Sequence, residues 1–129
     1  MSDDMQEVPL ELTHAILGAA ISVHRELGPG LLESTYQSCL VDQLRQDGMA
    51  VEVETIIPIR YRGRALDGGY RADVVVERKV LLELKAVDAI SPIHKAQTLT
   101  YLRHSGLKVG LLINFNVPRL MSGVHRFIR

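Results

Sequence analysis

The stretch VLLELKAVDAI, Val80–Ile90, sets an acid and a base into the most hydrophobic strand of the chain. Glu83 and Lys85 are two residues apart, so they lie on the same face of a β-strand. A second run, YRADVVV (Tyr70–Val76), precedes it, and only the polar ERK (Glu77–Lys79) separates the two. Two short runs rich in β-branched residues around three polar residues predict a β-hairpin.

The length of this loop sets the register of the hairpin. Asp73 falls directly opposite Glu83, because three pairs precede it: Val76 with Val80, Val75 with Leu81, and Val74 with Leu82. Directly opposed residues have β-carbons only about 5 Å apart, and like charges there are destabilising. The register therefore predicts that Asp73, Glu83 and Lys85 share one face of the hairpin.

Two carboxylates in apolar surroundings need either a proton or a cation. Lys85 offers one positive charge, which gives a structural ion pair with Glu83. A hard divalent cation offers two charges and takes oxygen ligands of this type, as Mg²⁺, Mn²⁺ and Ca²⁺ do. The spacing by itself favours neither the ion pair nor the metal site.

The remaining pattern predicts one α/β domain over residues 1–129, with a flexible N-terminus at residues 1–9. Apolar residues recur every three or four positions in Leu10–Leu27 and in about Leu31–Gln46, which is typical of helices, and GPG (28–30) stops the first. Further elements are a strand at Val51–Ile59, a helix opened by Ser91 and Pro92 and ended by Gly106, and strands at Leu107–Phe115 and Gly123–Arg129. Pro58 indicates an edge or the end of a strand.

Composition excludes several classes of protein. Fifteen basic residues balance fifteen acidic ones, so no overall positive field would attract nucleic acid. No apolar stretch approaches the roughly 20 residues of a membrane span, and the acidic start lacks a secretory pattern. The single cysteine, Cys39, excludes an internal disulfide, and the five histidines lack zinc-binding spacing. These features predict a soluble, cytoplasmic protein.

Other polar residues allow two interpretations each. Glu33 follows GPG in the first turn of a helix, where the dipole favours a carboxylate whether or not it is catalytic. Gln97 and Tyr101 are spaced to share a helix face, which either borders a polar site or faces solvent. The arginine-rich IRYRGR (59–64), with Arg71, is either a solvated hairpin or a phosphate-binding surface.

Two motifs together resemble a known family. Asp73 and the Glu83-Leu84-Lys85 triplet resemble the D…(D/E)xK signature of PD-(D/E)XK nucleases, although Ala72 replaces the proline of the family name. ELGPGLLESTY (26–36) carries glycine, glutamate and tyrosine at the spacing that names the GxxExxY proteins. The resemblance extends from about Leu10 to Phe127 and implies a restriction-endonuclease-like α/β/α core with a central mixed β-sheet flanked by helices.

The resemblance also implies roles for individual residues. Asp73, Glu83 and the backbone carbonyl of Leu84 would bind Mg²⁺ or Mn²⁺, with Glu33 as a further ligand. Lys85 would orient or deprotonate the attacking water. Gln97 and Tyr101 resemble the QxxxY element of RecB-like nucleases. The implied catalytic set is therefore Glu33, Asp73, Glu83, Lys85 and Gln97, and the substrate-positioning residues are Tyr36, Arg71 and Tyr101.

Three functions are consistent with these residues. The first is a metal-dependent nuclease that hydrolyses phosphodiester bonds of DNA or RNA. The second is a catalytically inactive, nuclease-like binding or scaffolding module, which the neutral charge favours. The third is a metal-dependent enzyme acting on a small phosphorylated substrate. We expect nucleic acid as the partner, no membrane association, and self-association as a homodimer.

Overall fold

The helices and strands of the computed structural model, which describes residues 8–129, follow the predicted order. The helices are α1 (Leu10–Leu27), α2 (Glu33–Gln46) and α3 (Pro92–Ser105). The strands are β1 (Val51–Tyr61), β2 (Arg64–Val76), β3 (Val80–Lys85), β4 (Val109–Asn114) and β5 (Val124–Ile128). A short 3₁₀ helix, Leu120–Gly123, precedes the last strand.

The five strands form one mixed sheet in the order β1-β2-β3-β4-β5. Neighbouring strands are antiparallel except for β3 and β4, which are parallel because α3 crosses between them. Strand β3 lies at the centre, and four of its six residues are completely inaccessible to solvent. The predicted mixed sheet with helices is confirmed.

Helices cover both faces of this sheet. On one face, α1 and α2 pack against the sheet in a large cluster that includes Ile16, Leu40, Val74, Leu82 and Leu111. On the other face, a smaller cluster links Leu102 of α3 to Ile57, Ala72, Val75 and Leu81. Burial on both faces explains why β3 and β4 read as continuous apolar runs rather than alternating ones.

Several boundaries differ from the predicted ones. The hairpin of β1 and β2 extends to Tyr61 and Arg64, beyond the predicted strands, and Pro58 lies inside β1. The strand tolerates this proline because β1 is an edge strand, where a missing N–H leaves no partner unpaired. Strand β3 ends at Lys85 rather than Val87, and α2 begins at Glu33 rather than Leu31.

The predicted flexible N-terminus falls largely outside the described residues, since the structure describes none of residues 1–7. Of the remainder, Val8 contacts the larger core cluster and the Pro9 carbonyl accepts a hydrogen bond from the Leu12 N–H at 3.1 Å. Within residues 8–129, no helix has both the length and the apolar character that crossing a membrane requires.

Candidate functional site

Strands β2 and β3 separate at Asp73. The predicted pairs Val74–Leu82, Val75–Leu81 and Val76–Val80 are confirmed, but the ladder ends one pair before Asp73 and Glu83. The β1–β2 ladder also lacks a pair at Asp73, where Glu54 of β1 has a positive φ of 48°. As a result, Ala72 and Val74 belong to different core clusters, so simple alternation does not hold across Asp73.

The two carboxylates fill the opening between the strands by binding each other's backbone. The N–H of Asp73 donates to Glu83 Oε2 at 3.1 Å, and the N–H of Leu84 donates to Asp73 Oδ2 at 2.8 Å. Side-chain bonds thus replace the missing ladder bonds and fix both carboxylates. Among residues 8–129, no hydrogen bond occupies Asp73 Oδ1 or Glu83 Oε1, so each acid keeps an available oxygen.

Burial makes this acid pair electrostatically costly. Glu83 is 6% exposed, and desolvation followed by the charge of Asp73 raises its pKa from 4.5 to about 8. Desolvation also raises the pKa of Asp73, while the Leu84 N–H and the Lys85 charge oppose that rise. A buried carboxyl pair therefore keeps a proton near neutral pH unless a cation replaces it.

Lys85 follows the pair at the end of β3, and its charge lowers the pKa of both carboxyl groups. The chain around it is held by β4: the Phe115 N–H donates to the Lys85 carbonyl at 2.9 Å. The buried amide of Asn114 accepts from the Val87 N–H at 3.0 Å and donates to the Val87 carbonyl at 2.9 Å. Asn114 therefore positions the segment that carries Lys85.

Asn114 was not among the predicted site residues. Its signal in the sequence is a lone polar side chain in the otherwise apolar run GLLINF (110–115). A buried amide needs hydrogen-bond partners, and those partners lie in a segment 27 residues earlier.

Glu33 lies beside the acid pair, at the first residue of α2. Most of the residue is exposed, but desolvation of its carboxyl raises its pKa, with Lys85 opposing and Asp73 reinforcing that rise. His94, in the first turn of α3, also lowers the pKa of Glu33. His94 is fixed by a capping box, in which its Nδ1 accepts from the Ser91 N–H at 3.0 Å.

The two residues of the predicted QxxxY element differ in their placement. Tyr101 is half-buried, and burial followed by the charges of Glu83 and Asp73 raises its pKa. Its ring lies 4.8 Å from the ring of Tyr70. Gln97 is exposed, and its side chain makes no hydrogen bond among residues 8–129. The structure brings Tyr101 to the site and leaves the role of Gln97 a prediction.

Arg71 lies on the rim of the site. It forms an exposed ion pair with Glu54 at 3.2 Å, and Glu54 in turn raises the pKa of Asp73. Exposed ion pairs contribute little to stability, about 0–1 kcal/mol. Arg71 can therefore exchange Glu54 for another anion at small cost.

Tyr36 does not reach the site surface. It is completely buried, its ring stacks on Phe115 at 4.6 Å, and its hydroxyl donates to the Gly28 carbonyl at 2.5 Å. The hydroxyl also accepts from the Leu31 N–H at 3.2 Å. Direct substrate positioning by Tyr36 is inconsistent with this burial. The tyrosine instead fixes the GPG loop that leads to Glu33.

A Tyr36→Phe variant separates these two roles. Loss of the hydroxyl leaves a carbonyl and an N–H without their partner, so we expect the free energy of unfolding to fall by about 1–3 kcal/mol. Urea denaturation measures this loss. Any metal-dependent activity per folded molecule should stay close to that of wild type. A large loss of activity with unchanged stability would return Tyr36 to the substrate-positioning residues.

The donor set fits a hard divalent cation. No group of three or more His, Cys, Asp or Glu side chains within residues 8–129 is placed to hold a metal ion. Mg²⁺, however, is commonly bound through one or two carboxylates and keeps several waters and substrate phosphates. Asp73 and Glu83 each offer an available oxygen and together carry the excess negative charge that such an ion neutralises.

Comparison with known proteins agrees with this geometry. A sequence model described as the PD-(D/E)XK nuclease superfamily matches residues 10–127. No curated protein and no solved structure gives a significant match. The matched region includes every strand of the sheet except the last residue of β5, and all the residues around the acid pair. The chain therefore belongs to the PD-(D/E)XK nuclease superfamily.

Proposed function

We propose that this protein is a divalent-metal-dependent nuclease that hydrolyses phosphodiester bonds of DNA or RNA. The observation that carries the proposal is the acid pair of Asp73 and Glu83. Each carboxylate is hydrogen-bonded to the backbone of the opposite strand where β2 and β3 separate, and Lys85 lies beside the pair. Strands hold such groups more rigidly than loops do. Membership of the superfamily supports the same chemistry.

In this proposal Asp73 and Glu83 hold Mg²⁺ or Mn²⁺, with the Leu84 carbonyl and Glu33 as further ligands. When bound, the metal neutralises the phosphate and lowers the pKa of an attacking water. Lys85 orients that water and offsets charge that develops on the phosphate. Tyr101, Arg71 and Gln97 position the substrate.

We also propose four finer assignments. Gly30, Glu33 and Tyr36 support membership of the GxxExxY proteins, because the tyrosine holds the loop that presents the glutamate. The cytoplasmic location and the arrangement of the whole chain as one domain are proposed from its composition and pattern. Pairing as a homodimer, which we also propose, would bring two sites together.

The test is a cleavage screen with end-labelled DNA and RNA oligonucleotides in Mg²⁺ and in Mn²⁺. We expect metal-dependent cleavage by wild type and about a hundredfold slower cleavage by Lys85→Ala, because a positioned proton-transfer group contributes about 10²–10⁴-fold. Lys79→Ala removes the same charge from the turn between β2 and β3 and should cleave like wild type. Equal cleavage by Lys85→Ala would show that the nuclease site lies elsewhere or that the activity is a contaminant.

The second candidate is a nuclease-like binding module without catalysis. Two observations favour it: the chain has no net charge, and residues 8–129 contain no group of three metal-binding side chains. This candidate predicts that Mn²⁺ does not raise the melting temperature. It also predicts that Lys85→Ala binds nucleic acid or a protein partner as wild type does.

A further inference from the structure

A cavity of about 340 Å³ lies between β1 and the C-terminal end of α3. None of Asp73, Glu83 and Lys85 lines it. We call it the hairpin cavity. Its principal lining residues are Ile56, Pro58, Arg60, Arg78, His104 and Leu107. Cavities of 300–1,000 Å³ are the usual size of small-molecule and nucleotide sites.

The hairpin cavity has an unneutralised positive charge. Within residues 8–129, Glu52 is the only acid in the lining, and Arg78 is paired with it at 3.2 Å. Arg60 also lines the cavity, and among residues 8–129 its guanidinium makes no ion pair and no hydrogen bond. A solvent-exposed guanidinium with no internal partner can bind a phosphate in a bidentate manner without breaking any existing contact.

His104 adds a hydrogen-bond donor to the lining. Its Nδ1 accepts from the Arg60 N–H at 3.0 Å, so in the neutral ring the proton is assigned to Nε2. A neutral histidine bonded in this way is a donor at its other nitrogen. The same contact fixes the backbone of Arg60 against α3.

The C-terminus of α3 would ordinarily repel an anion, because unpaired carbonyl groups give this end of a helix a partial negative charge. Arg129 places a positive charge beside the carbonyl groups that directly follow this helix. Its Nε donates to the Leu107 carbonyl at 3.0 Å and a terminal nitrogen donates to the Gly106 carbonyl at 3.1 Å. The cavity is therefore electrostatically suited to a negatively charged ligand.

One wall of the hairpin cavity is apolar. Ile56 is 56% exposed there, beside Pro58 and Leu107. The wall is shaped by a bulge opposite Pro58, where Gly69 has φ 138° and a β-carbon would lie too close to the Ile57 carbonyl oxygen. An apolar part of a ligand binds such a wall favourably, because both apolar surfaces are then removed from water.

Aromatic rings lie between the hairpin cavity and the acid pair. The ring of Tyr70 lies 5.7 Å from that of His104, which lines the cavity. Tyr70 also lies 4.8 Å from Tyr101, and both rings pack against the core cluster that contains Ala72, the residue before Asp73. A strand bound at the acid pair can therefore continue over these rings to the cavity.

We propose that the hairpin cavity binds one unpaired nucleotide of the nucleic-acid strand held at the acid pair. Its phosphate contacts Arg60 and His104, and its base lies against Ile56, Pro58 and Leu107. The identity of the polymer rests on the proposed function. A base that is already paired in a duplex cannot contact the apolar wall, so the cavity selects single-stranded substrate.

The test measures binding rather than cleavage, by fluorescence anisotropy of a labelled single-stranded oligodeoxythymidine in EDTA. We expect Arg60→Gln to weaken binding about tenfold, the value of one charge-assisted hydrogen bond to phosphate. The salt dependence should become shallower by about 0.7 in slope, the contribution of one phosphate contact on a single strand. Folding should be unaffected, because the Arg60 side chain has no internal partner among residues 8–129.

Arg62→Gln is the matched control. It removes the same charge two residues along the same hairpin, where the guanidinium lies over the Tyr61 ring and outside the cavity lining. We expect its affinity to stay within about twofold of wild type. Equal weakening by the two variants would indicate a diffuse charge effect and overturn the proposal. Unchanged binding by Arg60→Gln, or no binding by wild type, would overturn it as well.

A blunt duplex of the same sequence tests the unpaired base. We expect Arg60→Gln to affect duplex binding less than single-strand binding, and an equal effect would overturn the assignment of the base. Because the binding assay contains no metal, its outcome does not depend on cleavage. Failure of the nuclease proposal, which is absence of metal-dependent cleavage, is therefore distinguishable from failure of this one.

Discussion

Replacing Asp73 with asparagine should reduce metal-dependent cleavage on the order of a thousandfold or more, because a metal-bound site supplies several kcal/mol to the transition state. The asparagine oxygen can still accept the hydrogen bond from the Leu84 N–H, so the strands should keep their geometry. The variant therefore removes a charged metal ligand with little change in shape. Rates come from single-turnover cleavage of a labelled oligonucleotide.

Without metal, the same variant should be more stable than wild type. Above the pKa of Glu83, about 8, both carboxylates of the wild type are ionised and repel each other. The neutral asparagine side chain removes that repulsion, so we expect the free energy of unfolding in EDTA to increase in this range. A site that is more stable without its charge but inactive is typical of functional clusters.

Asp67→Asn is the control for both effects. It makes the same chemical change on β2, at an exposed residue in the outer half of the hairpin. We expect wild-type cleavage and a wild-type rise of the melting temperature with Mn²⁺. If Mn²⁺ stabilises Asp73→Asn as strongly as wild type, the metal site does not include Asp73.

The second large effect is a loss of stability with rising pH in metal-free protein. The pKa of Glu83 is raised from 4.5 to about 8 by burial and then by Asp73, so the folded state holds a proton that the unfolded state releases. Stability from this proton is complete below pH 4.5 and is lost between about 4.5 and 8. Asp73, whose pKa is also raised, adds a loss of the same sign.

The size of this loss is several kcal/mol, at about 1.4 kcal/mol for each pKa unit. Urea unfolding across this pH range in EDTA measures it. Glu83→Gln cannot ionise and can still accept from the Asp73 N–H, so its stability should change much less with pH. Saturating Mg²⁺ should flatten the wild-type profile, because the cation binds the ionised pair. Stability that rises with pH in EDTA would contradict the assigned state of Glu83.

Local patterns predicted the hairpin because its register depends on neighbours in sequence. The polar loop of residues 77–79 and the alternation of apolar side chains fixed which residues pair, and the structure shows those three pairs. The helix ends also depend on local sequence. The GPG segment ends α1, and Ser91 caps α3 with Pro92 in its first turn. The same hairpin register also predicted that Asp73 and Glu83 lie close together.

Local sequence patterns could not predict contacts between segments that are far apart in the chain. Direct opposition of Asp73 and Glu83 was expected, but both ladders of β2 lack a pair at Asp73, and side chains bind backbone instead. Tyr36 belongs to a polar motif, yet its ring is buried against Phe115, far along the chain. Nothing in either local segment specifies that neighbour.

The sequence alone determined the order of elements, the hairpin register and the residues that form the acid pair, because these depend on spacing and turn length. Only the tertiary structure decided the wider surroundings of that pair: Asn114 holds the segment after Lys85, Tyr101 lies against Tyr70, and His104 lines the hairpin cavity. The physical reason is that burial, pKa and hydrogen-bond partners depend on distances in space. Those distances are set only when the helices cover the two faces of the sheet.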